Sequence, residues 1–413
     1  MLDHYLKQTT AENSRFGPLK PHVAAFSATL AEAGYARISV EIRLRLLSHL
    51  GRWMQRTRRP VADLCQDALE TFLRAYRRRL QLKASDRCTL RRFIEHLQHQ
   101  GVIAVPTVGP EHKEPFMEVE RRYEDHLLKE RGLTAATVER YTWFVHRFLL
   151  SRFDQGQFSL KKLQASDVSN FVLKNAHCTG PKRAHLMVSA LRSFFRFLTQ
   201  EGEMQTDLAG FIPSVPCRTL DGLPKYISRS EVEKILANCD RGTPIGRRDY
   251  AILLLLARLG LRAGEVARLQ LEDVEWRSGE IHVLGKGQVR DRLPLLRDVG
   301  EALVNYLRDR PRSPSRNVFL RMIAPRGPFR TSSIVSMVVR QALSRAGLKP
   351  PHRGAHLLRH SLATGLLRSR ASMSEIAELL RHRCLSNTEI YAKVDSQSLR
   401  ALARPWPTTR GAK

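Results

Sequence analysis

Two stretches of the chain repeat one another, and that repeat narrows the possible folds more than any other feature. The first runs LAEAGYARISVEIRLRLLSHLGRWM from Leu30, and the second runs LKERGLTAATVERYTWFVHRFLLSRF from Leu128. Each has a glycine, an apolar residue, a hydroxyl residue at an N-cap-like position and then a long amphipathic run. The register continues downstream. Leu64 and Phe72 match Leu163 and Phe171, and LRRFIEHLQHQG from Leu90 matches LRSFFRFLTQEG from Leu191. The offset drifts only from 98 residues (Leu30 to Leu128) to 101 (Leu90 to Leu191). Apolar residues at helical spacing in both copies predict two tandem helical modules, residues 1–112 and 113–212, arising by duplication.

The remainder has a different texture. Val102–Pro115 and Phe211–Pro224 are proline-rich and aperiodic, and read as linkers. Residues 221–413 then form a third domain. Ser230 and Glu233 have capping-box spacing at the start of SEVEKILANC. Asp249–Leu259 is almost wholly apolar, which predicts a buried helix closed by Gly260. Glu280–Leu284 (EIHVL) alternates like a strand, Gly285-Lys286-Gly287 turns, and Val289–Leu295 returns, so one small antiparallel sheet is expected. Helices are expected near 298–309, 331–346, 354–369 and 374–381, with a partly helical tail from Ser396.

The formal charge is +29, from 69 Lys+Arg against 40 Asp+Glu, and it calls for a polyanionic partner, most often nucleic acid. Residues 221–413 carry 29 Arg and 6 Lys against 18 acidic residues, a net of +17. Arginine is the residue that grips phosphate bidentately. The six cysteines, at 65, 88, 178, 217, 239 and 384, show no CxxC or Cys/His spacing. That predicts no zinc site and no disulfide framework, and fits reduced thiols in an intracellular protein. The longest apolar run, Ala251–Ala257, is too short to span a bilayer, and the N-terminus has no basic segment leading into an apolar one. A cytoplasmic protein without a signal peptide is therefore expected.

One run near the C-terminus, Gly354–Val394, gathers His356, Arg359, His382 and Tyr391, while Arg262 (in GLRAGEVARL) and Lys286 lie upstream. Attack at the phosphorus of a phosphodiester loads its non-bridging oxygens with negative charge, and fixed cationic donors aimed at them lower the barrier. Arg262 and Arg359 suit that task, and His382 adds an N–H. Tyr391 is the hydroxyl nucleophile, weak while protonated at its ordinary pKa of about 10. His356, three residues before Arg359, lies one helical turn away on the same face. Glu265 reads as the acid that orients Arg262, and Glu272 and Asp273 as surface or capping residues. Tyr141, Tyr226, Tyr250 and Tyr306 read as core or surface.

These six residues, in this order and spacing, resemble the tyrosine recombinase (phage integrase) family over about residues 115–405. The resemblance implies a mainly α fold: a SAM-like core-binding module, apparently duplicated here, plus a mixed α/β catalytic domain with a small antiparallel sheet. It implies a site-specific recombinase that cuts and rejoins double-stranded DNA through a 3′-phosphotyrosyl intermediate, with no metal or nucleotide cofactor. In that scheme His356 is the general base and Lys286 the general acid for the 5′-oxygen. The family also implies a C-shaped clamp on DNA, a homo-tetramer on synapsed sites, with or without sister recombinases, and a tail helix near Ser396–Ala403 packing on a neighbour. The extra N-terminal module favours an integrase or recombinase of a mobile element. A housekeeping Xer-type chromosome or plasmid dimer resolvase, a type IB topoisomerase and a non-catalytic DNA-binding accessory protein are the alternatives. The module's net charge, with its Arg58-Arg59 and Arg77-Arg78-Arg79 clusters, favours further DNA contact over the alternative, a contact between protomers. His360 matches a frequent histidine of the family and reads as structural. One departure is Arg381, where the family usually has glycine.

Overall fold

The computed structural model describes residues 13–77, 83–104, 116–153, 158–215, 224–285, 289–382, 384 and 388–394. It forms two compact units, one of residues 1–104 with 222–413 and one of residues 105–221.

The first unit opens with a 3-10 turn (Asn13–Leu19), α1 (Lys20–Glu32), α2 (Arg37–Thr57), a 3-10 turn (Val61–Asp63), α3 (Gln66–Arg77) and α4 (Ala84–His99). The second unit has α5 (Met117–Asp125) running into a π turn (His126–Glu130), then α6 (Ala135–Phe153), a 3-10 turn (Leu160–Lys162), α7 (Ala165–Ala176) and α8 (Pro181–Gln200). Each module has four α-helices with a 3-10 turn between the second and the third, and matching positions are buried. Val40 and Val138, Leu47 and Val145, Phe72 and Phe171, Phe93 and Phe194, and Leu97 and Leu198 are core residues of their own modules. Gly34 and Gly132 follow each first helix with φ of 82° and 59°, and Gly101 and Gly202 follow each last helix with φ of 70° and 74°. Left-handed values of this kind are what glycine supplies at a helix end. Thr134 directly precedes α6, with its Oγ1 3.0 Å from Thr137 Oγ1, whereas α2 is capped by Ala36, which makes no side-chain cap.

The rest of the first unit contains α9 (Arg229–Ala237), α10 (Pro244–Arg258), α11 (Ala263–Arg268), β1 (Val274–Glu275), β2 (Glu280–Leu284) and β3 (Arg290–Pro294). After these come α12 (Arg297–Asp309), β4 (Leu320–Arg321), β5 (Gly327–Pro328), α13 (Ser333–Arg345), α14 (Ala355–Arg368), α15 (Met373–Leu379) and a 3-10 turn (Glu389–Val394). The hub is α10, buried from Ala251 through Ala257 and packed on α12, α13 and α14. Burial on all sides is why that run has no polar face.

Three details differ from the sequence reading. The capping box is Ser228 with Glu231, not Ser230 with Glu233. Ser228 Oγ accepts from the Glu231 amide at 3.2 Å, and Glu231 Oε2 accepts from the Ser228 amide at 2.8 Å. Glu233 instead pairs with Arg258 at 2.8 Å. The buried helix begins earlier than Asp249, because Thr243 caps it (3.1 Å to the Gly246 amide) and Pro244 fills its first position. The sheet has three antiparallel strands, β1-β2-β3, and a second pair, β4-β5, lies nearby in sequence. Strands of two residues are too short for alternation to reveal.

Within the first unit the N-terminal module meets the β4–β5 turn. The Arg326 amide donates to the Ala33 carbonyl at 3.0 Å. The Arg326 side chain lies over Gly34, where a Cβ would come within 2.7 Å of its Cδ. Among the described residues no helix is long and apolar enough to cross a membrane. Arg78, Arg79, Lys286 and the tail from Ser396 lie outside the described residues.

Candidate active site

Arg262 is the N-cap of α11. Its amide donates to Glu265 Oε2 at 2.8 Å and its Nη1 donates to Glu265 Oε1 at 2.7 Å. Glu265 is buried, so one carboxylate fixes both the backbone and the guanidinium of Arg262. The connection from α10 is short because Gly260 turns it with φ 58°. A Cβ at Gly260 would also reach within 2.8 Å of Leu380 Cδ2, so both the backbone and the available space require glycine here.

Arg359, on α14, is 3% exposed. Its Nη1 donates to the Gly260 carbonyl and its Nη2 to the Leu380 carbonyl. Burial, then the neighbouring Arg262, lower its pKa to about 10, which leaves it cationic at neutral pH. His356 sits one turn earlier on α14 and is exposed. Desolvation, then Arg359 and Arg262, lower its pKa below the usual imidazole value.

His382 follows α15, and its Nδ1 lies 2.8 Å from Oγ1 of the buried Thr388. Burial, then Arg359 and Arg262, push it down to about 4. Tyr391 is carried by the last 3-10 turn, its ring packed with Ala363, Ile376 and Leu380 and only 1% exposed. Burial pushes its phenol up to about 12, opposed by Arg359.

Among the described residues His360 is in hydrogen-bond contact with the Tyr391 hydroxyl, with Nδ1 and Oη 2.9 Å apart. Burial, then His356 and Arg359, lower His360 to about 4. The sequence reading set this histidine aside as structural. The available signal was its spacing, four residues after His356 on one helix face.

Arg381 occupies the left-handed position that ends α15, with φ 53°. Its amide donates to the Glu378 carbonyl and the His382 amide to the Ala377 carbonyl, both at 2.9 Å. This is the double hydrogen bond of a Schellman motif, which glycine usually closes. The Arg381 side chain turns inward and is 6% exposed. Its Nη2 donates to Glu265 Oε2 at 2.7 Å, and its Nε is 3.8 Å from Asp291 Oδ2 on β3. Its Nε and Nη1 are buried with no hydrogen-bond partner among the described residues. The Arg381 carbonyl accepts from Arg262 Nη2 at 3.3 Å.

Four of the six expected residues therefore belong to one linked cluster. Arg262 bonds the carbonyl just before His382, Arg359 bonds Leu380, and Tyr391 packs on Leu380. His356 shares the helix face of Arg359 and His360, and Lys286 is not described. The cluster offers cationic and imidazole donors, a composition suited to an oxyanion rather than a cation. Among the described residues no group of three or more His, Cys, Asp or Glu is placed to hold a metal ion.

A model of the "Phage integrase family" matches residues 225–398, and one of the "Phage integrase, N-terminal SAM-like domain" matches residues 121–202. The chain is 39% identical over 393 residues to the putative integrase/recombinase y4rA of Sinorhizobium fredii, covering 95% of each. It is 32% identical over 284 residues to the tyrosine recombinase XerD of Listeria monocytogenes, covering 66% of this chain and 93% of XerD. In fold it is similar to the XerH site-specific recombinase bound to palindromic difH substrate, with a TM-score of 0.55 at 22% identity, covering 70% of this chain and 85% of that one. Mainly helical architecture, small antiparallel sheets and these sequence relatives define an enzyme of the tyrosine-type site-specific recombinase class. The chain belongs to the phage integrase family of tyrosine recombinases.

Proposed function

We propose that this enzyme recombines the DNA of a mobile element, with Arg262, Arg359 and His382 holding the scissile phosphate and Tyr391 attacking it. The observation that carries this reading is the convergence of two guanidiniums on the end of α15, on the carbonyls of Leu380 and Arg381 beside His382, where Tyr391 packs on Leu380. Attack joins Tyr391 Oη to the 3′-phosphate and frees a 5′-oxygen, which Lys286 protonates. The phosphotyrosyl link conserves the bond, so a 5′-hydroxyl from another strand reverses the step. A hydroxyl that is sheltered at rest requires the turn carrying Tyr391 to shift when DNA arrives.

The test is covalent capture. The wild-type chain should retain nicked duplexes drawn from a randomised library through a denaturing wash. It should do so equally in EDTA and in Mg²⁺, because guanidiniums supply the charge that a metal would otherwise supply. Failure to retain any duplex, or a strict Mg²⁺ requirement, would overturn the reading.

The mobile-element role is supported by the length of the match to y4rA, which spans the N-terminal module, whereas the match to XerD spans 284 residues. A housekeeping resolvase is the second reading. Detection of an excised circular joint in cells carrying the gene separates the two. The shared element order and core positions support residues 1–112 as a duplicate of the core-binding module at 113–212, ahead of a catalytic domain at 221–413. We assign the extra module to DNA contact, and the active form to a homo-tetramer on synapsed sites in the cytoplasm.

Arg381 steadies Glu265 and thereby Arg262. Arg381→Gly is expected to slow cleavage by roughly tenfold, the loss of one partner in a hydrogen-bonded charge pair. Single-turnover kinetics measure the loss, and thermal denaturation shows whether the fold is kept. A rate equal to wild type would remove Arg381 from the site.

A further inference from the structure

We infer that the N-terminal module holds an unpaired nucleotide of a DNA strand in a pocket between α2 and α3. The inference deepens the assignment of that module to DNA contact, on which it rests. The pocket has a volume of about 620 Å³. Sites that enclose small ligands run from about 300 to 1,000 Å³.

The lining follows from helical spacing. His49, Arg52, Trp53 and Arg56 stand at i, i+3, i+4 and i+7 on α2, and Phe72 and Tyr76 at i and i+4 on α3, so each set shares one face. Trp53 and Phe72 are buried, with ring centroids 5.7 Å apart. Tyr76 and His49 are half-buried and meet edge to face at 5.5 Å, and Tyr76 lies 5.5 Å from Phe72. Four rings therefore run in one chain from the interior to the opening. Arg52 and Arg56 are exposed, and Arg52 Nη2 donates to His49 Nδ1 at 3.0 Å. No acidic residue is among the described residues that line the pocket.

These rings are not what the helical module needs to fold. At the matching positions of the second module, His49, Trp53 and Tyr76 are replaced by Arg147, Ser151 and Asn175. There Arg147 Nη2 donates to Asn175 Oδ1 at 3.4 Å. The core pair Phe72 and Phe171 is kept in both modules, so the aromatic lining belongs to the first alone. Guanidiniums with no carboxylate beside them favour phosphate, and a half-buried aromatic wall favours a planar ring. A nucleotide supplies both, its base against His49 and Tyr76 and its phosphate against Arg52 and Arg56. In a duplex the faces of the bases are hidden in the stack, so a recessed wall meets one only after it has left its partner. Strand exchange produces such bases, because a cleaved strand must leave its complement before its 5′-hydroxyl reaches another phosphotyrosine.

The experiment uses the full chain and a labelled thymidine strand of about 12 nucleotides, with a duplex of the same length as control. Fluorescence anisotropy reads the affinity for each. Tyr76→Asn installs the second module's residue without changing charge. It should weaken strand binding about tenfold and duplex binding by less than about twofold, while Tyr76→Phe, which keeps the ring, should bind both as wild type does. Irradiation of wild type with a strand carrying iodouracil should attach it to His49, Trp53 or Tyr76, located by peptide mass spectrometry. That adduct decides the matter even where thermal denaturation shows Tyr76→Asn to be unfolded. Strand affinity of a folded Tyr76→Asn within about twofold of wild type overturns the inference, as does equal weakening for strand and duplex. Displacement of the strand by thymidine monophosphate at the same nucleotide concentration overturns the assignment to DNA in favour of a free nucleotide. An iodouracil duplex that cross-links to the module, with no strand adduct in the pocket, overturns the pocket alone. No adduct from either DNA within the module overturns its DNA contact as well, so the two failures are distinguishable.

Discussion

Tyr391→Phe is expected to abolish covalent capture of DNA outright while leaving duplex affinity within about twofold of wild type. The substitution removes one oxygen and nothing else. The ring keeps its packing with Ala363, Ile376 and Leu380. The loss on the protein side is the part-buried contact to His360, at a cost of about 1 kcal/mol. The variant should therefore fold, melt at a somewhat lower temperature and bind DNA through its unchanged arginines. Gel shift under native conditions and denaturing electrophoresis of the same samples give both readouts. A covalent adduct in the variant would mean that another residue attacks.

Arg359→Lys carries the second largest expected effect, and lysine rather than alanine is the informative replacement. Arg359 splits its fork between the carbonyls of Gly260 and Leu380, both in the interior. Alanine would strand both carbonyls at about 1–3 kcal/mol each and confuse folding with catalysis. Lysine keeps the charge but offers a point donor in place of a planar fork, and so satisfies one carbonyl at most. It should fold, bind DNA nearly normally and cleave about 10²–10³-fold more slowly, the loss typical of one misdirected oxyanion donor. Cleavage within about threefold of wild type would show that charge alone suffices at this position.

How much of this was legible in the sequence depends on the reach of each interaction. The repeating sequence pattern stands out because it is carried by core residues such as Phe93 and Phe194 at matching positions. The candidate site residues stand in the sequence as an ordered set, and the structure links Arg262, Arg359, His382 and Tyr391. Other features were hidden for physical reasons. Two serine-to-glutamate pairs with identical spacing compete for one helix start, and only the fold decides that Glu233 goes to Arg258. The contact between His360 and Tyr391 joins residues 31 positions apart and leaves no local pattern. Arg381 stood out as a break in the family pattern, but its inward course to Glu265, 116 residues earlier, follows from burial rather than spacing.

Arg381 has a consequence for how robust this enzyme is. A non-glycine residue held at φ 53° costs about 1–2 kcal/mol, and a guanidinium with two buried donors unpartnered among the described residues adds to that. The glycine usual elsewhere in the family would relieve both penalties, yet it would free the carboxylate that aims Arg262. Thermal tolerance and catalytic precision thus pull against each other at a single backbone position. Any effort to harden this recombinase by consensus substitution would meet that trade-off first at Arg381, where relief of backbone strain would come with loss of the buried ion pair to Glu265.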